Sequence, residues 1–99
     1  METLFEGAPI ETSIFYYDDL EIAYVVFEDE GDYWSILASL GDDCDEKGSI
    51  HQVIDKNIIH PSPQKYATEQ YELAVNFVLQ VLKVNVDARS ITIERRRWA

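Results

Sequence analysis

Residues 18–46 read DDLEIAYVVFEDEGDYWSILASLGDDCDE. Two apolar runs, residues 20–27 and 33–40, flank a polar link of Glu28, Asp29, Glu30, Gly31 and Asp32. Strand-forming residues on both sides of a short link containing Gly predict an antiparallel hairpin. In the second run Trp34, Ile36, Ala38 and Leu40 share one face, expected to point to a core. Tyr33, Ser35, Leu37 and Ser39 share the other, expected to point largely to solvent. In the first run Leu20, Ile22, Tyr24 and Val26 alternate with Glu21, Ala23, Val25 and Phe27, so both faces are mostly apolar and a central strand is expected.

Outward from the hairpin, residues 11–17 (ETSIFYY) are rich in β-branched and aromatic side chains and predict a first strand, with Asp18 and Asp19 turning the chain into the next. Residues 1–9 read as a lead-in broken by Gly7, Ala8 and Pro9, and residues 41–48 as a loop. Ile50, Val53 and Ile54 fit a helical turn and a short strand equally, which leaves 49–58 open between the two. Residues 57–62 form a linker ahead of Pro63, where Ser62 and Pro63 make an N-cap and N1 pair.

From 64 to 84 the residues Tyr66, Ala67, Tyr71, Ala74, Phe77, Val78, Val81 and Leu82 recur at helical spacing, with Val75 and Leu79 widening the stripe. The prediction is one helix of about 20 residues, about 30 Å long. Residues 88–98 read as a last strand. The fold class is therefore α+β: an antiparallel sheet of about four strands with one long helix on one face, in a single domain spanning 1–99.

The charge is uneven. Residues 1–46 hold 14 acidic and no basic side chains, and residues 47–99 hold 5 acidic and 8 basic, so −14 and +3 give the net −11. Such an acidic half repels nucleic acid and anionic membrane and attracts a basic protein surface. The single cysteine, Cys44, has no intramolecular disulfide partner, no secretory signal opens the chain, and no apolar run spans a bilayer; a cytoplasmic location is expected.

No motif for chemistry is complete. Asp43, Asp45, Gly48 and Ile50 resemble the opening positions of an EF-hand calcium loop, but Lys47 and Ile54 stand where an oxygen ligand and a bidentate Glu are required. Cys44, His51 and His60 have no zinc-ligand spacing. No nucleophile elbow or phosphate loop occurs. The expectation is a non-enzyme with no cofactor and no metal. Arg95, Arg96, Arg97 and Trp98 could form a small phosphate-binding patch, though pairing with the molecule's own acidic rim is the simpler reading.

Tyr and Trp among carboxylates have the make-up of a protein–protein contact. Trp34 and Tyr24 are expected in the core, Tyr17 and Tyr33 at the surface. The candidate contact surface is Asp18, Asp19, Glu28, Asp29, Glu30, Asp32, Tyr17, Tyr33, Asp42, Asp43 and Asp45. The expected function is an inhibitor of one basic protein, such as an immunity protein that covers the cleft of a nuclease-type bacterial toxin, acting as a monomer or weak homodimer. The alternatives are a homodimeric secretion chaperone or adaptor exposing an apolar face, and a DNA mimic that blocks a DNA-binding defence enzyme.

Overall fold

The computed structural model describes residues 8–40 and 48–98. Five strands, β1 (Ala8–Tyr17), β2 (Leu20–Asp29), β3 (Tyr33–Leu40), β4 (Gly48–Asp55) and β5 (Ile91–Arg97), form one sheet in the order β4-β3-β2-β1-β5. Each neighbouring pair is antiparallel. The helix α1 (Pro63–Asn85) packs on one face, and a 3₁₀ turn (Ala88–Ser90) leads into β5. This is the α+β architecture that the patterning predicts, with five strands instead of about four.

The added strand is β4, the segment whose periodicity fits helix and strand alike. Pairing with β3 decides it: Ile54 stands opposite Trp34 and is buried, while Val53, opposite Ser35 on the other face, is exposed. The central position of β2 follows from its two apolar faces. Ala23, Val25 and Phe27 meet the helix, and Val26 is buried on the far side.

Two expectations about breaks are corrected. Pro9 does not end the strand; β1 begins at Ala8, and the ladder to β2 shifts register between Pro9 and Glu11, which accommodates a residue without an N–H. The last strand starts at Ile91, because residues 88–90 are spent in the 3₁₀ turn. A second register shift, between Phe15 and Tyr16, brings Ile22 into the core as well as Ala23.

Ala67, Tyr71, Val75, Val78 and Leu82 are the buried face of α1. Tyr71 stacks on Phe27 at 5.5 Å between ring centroids. Pro63 stands in the first turn as expected, but Ser62 makes no side-chain cap; its carbonyl accepts from the Tyr66 N–H and its own N–H donates to His60 Nδ1. Phe77, placed by the spacing within the apolar stripe, lies outside the buried face and is half exposed.

On the face away from the helix, Ser35 is buried rather than solvated. Its hydroxyl donates to Glu28 Oε1 at 3.2 Å, and Val26 is enclosed beside them in the middle of the sheet. Tyr24, expected in the core, lies half-buried on this same face opposite Ser39.

Candidate acidic interface

The two ends of β2 carry the candidate acidic residues. At one end Tyr17 pairs with Leu20 across a two-residue turn, so Asp18 and Asp19 occupy both central positions, with φ of 50° and 71°. Positive φ at both positions defines the type I′ geometry that matches strand twist, and Asn followed by Gly satisfies it best. Asp tolerates the left-handed region better than most side chains, so the turn forms, with two exposed carboxylates side by side. Glu21 follows, also exposed, and beside it Ile22, Ala23, Tyr24 and Ser39 line a shallow hollow of about 130 Å³.

At the other end the Glu30 N–H donates to the Tyr33 carbonyl, and Gly31 takes φ of 92°. Asp29 receives the Gly31 N–H at 2.9 Å and the Lys56 ammonium at 2.8 Å. Lys56 comes from just beyond β4, where its own N–H is bound by the Asp32 carbonyl and its ammonium lies over the Trp34 ring at 5.3 Å. The Lys56 hydrogen bond, helped by the Gly31 amide, holds the Asp29 carboxyl below the usual carboxylate range. Register sets Asp55 directly opposite Tyr33, so this end holds Glu28, Asp29, Glu30, Asp32 and Asp55 around one lysine.

Thus the structure splits the candidate residues. Asp18 and Asp19 lie at one end, with Tyr17 beside them, half-buried and packed against the core. Glu28, Asp29, Glu30, Asp32 and Tyr33 lie at the other, about 30 Å away along ten residues of β2. Glu28 is buried and Asp29 is engaged by Lys56, which leaves Asp32, Tyr33 and the half-exposed Glu30 to face a partner there. Asp42, Asp43 and Asp45 lie outside the described residues. Leu40 and Gly48, which flank that stretch, pair with each other at the Asp18 and Asp19 end of the sheet.

Sequence reasoning missed Asp55. Its signal was the polar run Asp55, Lys56, Asn57 closing an apolar segment, which reads as a turn once that segment is a strand. The EF-hand likeness also dissolves where it is described, since Gly48 and Ile50 belong to β4. Among the described residues no group of three His, Cys, Asp or Glu side chains could hold a metal ion. Of the histidines, His51 is exposed on the far face of β4, and His60 rests against Tyr66 at 5.1 Å between centroids. No described helix is long and apolar enough to cross a membrane.

Arg95 and Arg97 find acids within the molecule. Arg95 bridges Glu11 on β1, at 2.9 Å, and Glu72 on α1; Arg97 approaches Glu11 at 3.6 Å, and Arg96 stacks on Trp98. The β5 edge is therefore the basic side; its first residues adjoin the Asp18 turn, where the Asp18 N–H donates to the Ser90 carbonyl, and Arg95 to Arg97 lie further along it. Comparison with protein-family models, curated proteins and solved structures finds no match to this chain.

Proposed function

We propose that this domain is a small acidic inhibitor of one basic protein, an immunity-type protein that covers the positively charged cleft of a nuclease-type toxin. The observation that carries this reading is the pair Asp18 and Asp19. Two adjacent, exposed carboxylates occupy a tight turn whose backbone Asn and Gly fit better, and like charges side by side add repulsion there. Side chains that break a local rule for no gain in folding suggest a use at the surface. Glu21 extends this cluster, and exposed Leu20, between Asp19 and Glu21, offers an apolar contact within it. A basic cleft selects for carboxylates around an apolar anchor, because charge speeds the encounter and the desolvated contact slows release.

Exposed acids grouped at two ends favour a partner with localised positive charge over the regular row of carboxylates that a DNA mimic would present. The test is capture of basic proteins from a lysate at low salt, followed by assay of the captured protein for nuclease activity with and without the domain. Stoichiometric loss of activity, reversed by high salt, is the expected result. A captured protein that keeps its activity when saturated, or binding indifferent to salt, overturns the proposal.

A further inference from the structure

Helix α1 buries one face and exposes a second apolar stripe on the opposite one. At 100° per residue, Leu73, Phe77 and Val84 fall within one narrow strip directed away from Tyr71, Val75 and Leu82. They are 60%, 48% and 86% exposed. A helix on the outside of a small domain ordinarily gives that strip to polar side chains. Val81, half-buried, widens it on one side.

We propose that this strip is the interface of a two-fold symmetric dimer, in which α1 packs antiparallel against α1 of a second copy. Charge argues for the second copy as the occupant. The chain carries −11, yet α1 holds two lysines, Lys65 and Lys83, and two glutamates, Glu69 and Glu72, and is neutral. It is a place where two such acidic molecules can meet with no net charge repulsion, and it offers a basic partner no excess of carboxylate. Glu72 is already bound by Arg95 and Lys65 lies about two turns ahead of Leu73, so Glu69 and Lys83 are the charges left beside the strip.

Their positions are self-complementary. With the two-fold axis at Phe77, each Phe77 meets its copy and Leu73 comes level with Val81 of the second copy. Glu69 comes level with Asn85 of the second copy, two residues or about 3 Å along the axis from that copy's Lys83. Parallel packing would set Glu69 beside Glu69 and Lys83 beside Lys83. The dimer leaves both acidic ends of the sheet uncovered, and it stands or falls apart from the proposed inhibition.

The test is sedimentation velocity at concentrations up to about 0.5 mM, in low and high salt. A dimer that persists in high salt is expected, because the contact is mainly apolar. Phe77→Lys should raise its dissociation constant by at least about tenfold with the circular dichroism spectrum unchanged. Glu69→Lys and Lys83→Glu should each weaken it severalfold, and the two together should restore it. A protein that sediments as a monomer throughout, a dimer indifferent to Phe77→Lys, or a double charge swap no better than the single ones overturns the proposal. So does a monomer that loses a captured basic protein on Phe77→Lys, which would give the strip to that partner.

Discussion

The hydroxyls of Ser13 and Tyr71 lie 2.6 Å apart beneath the helix, joining β1 to α1 across 58 residues of chain. Both side chains are fully enclosed, and burial pushes the Tyr71 phenol up to about 12. Tyr71→Phe removes the bond and leaves the Ser13 hydroxyl buried beside a ring edge, a loss of about 1–2 kcal/mol near neutral pH. A raised folded value means that the neutral phenol is preferred in the native state, so its contribution is complete below about pH 10 and lost as pH rises toward 12. That loss amounts to about 2–3 kcal/mol. Denaturant titrations should therefore show the advantage of the native chain over Tyr71→Phe shrinking above pH 10.

Arg95 is the second tie between the sheet and the helix, and its carboxylate Glu11 is nearly enclosed, with its side chain 10% exposed. Arg95→Met should cost about 1–3 kcal/mol, because it leaves that carboxylate with only the longer contact to Arg97; the figure is below that of a fully buried pair because Arg95 is itself partly solvated. Glu11→Gln combined with Arg95→Met should be less damaging than the sum of the two. Additive losses in the double-mutant cycle would show that the pair does not couple.

What the sequence made legible follows from where one physical rule dominated. Residues 20–40 alternate around a Gly-containing link, and both strands and their hairpin appear as expected; the stripe beginning at Tyr66 likewise became one helix. β4 was ambiguous because Ile50, Val53 and Ile54 suit either element, and only the partner strand with Trp34 decides. Phe77 misled because a neutral helix with apolar residues on two sides satisfies a periodicity test from either side. Closeness in sequence groups the candidate acids into one surface. A ten-residue strand between two turns puts its ends as far apart as the sheet allows. The link from Lys56 to Asp29 spans 27 residues and had no local signal at all.

That link gives a prediction in acid. Lys56 and the Gly31 amide lower the Asp29 carboxyl in the folded state, so the stabilisation is present above the unfolded value, about pH 4, and lost as pH falls through the folded one. Asp29 is 43% exposed, and solvent keeps the effect under about 1 kcal/mol. Lys56→Met should be slightly less stable than the native chain at pH 6 and should converge with it below pH 4. A gap that persists in acid would assign the loss to the contact of Lys56 with Trp34 instead.

The turn at Asp18 and Asp19 separates folding from the proposed function. The double substitution Asp18→Asn with Asp19→Gly supplies the residue types that positive φ at both positions favours and removes two adjacent like charges. Melting should move upward, by about 0.5–1 kcal/mol in stability. If the acidic end serves a basic partner, the same variant should bind that partner more weakly and with a flatter salt dependence, because two of the charges that steer the encounter are gone. Glu30→Gln with Asp32→Asn is the matched variant at the opposite end: it removes two charges, leaves the Asp29 and Lys56 pair intact, and keeps the amide and carbonyl hydrogen bonds of that turn. Loss of affinity in the first variant alone assigns the contact to the Asp18 end, and loss in the second alone assigns it to the Gly31 end. A more stable protein with undiminished binding in both would show that the carboxylates serve only solubility, and the proposed inhibition through them would be wrong.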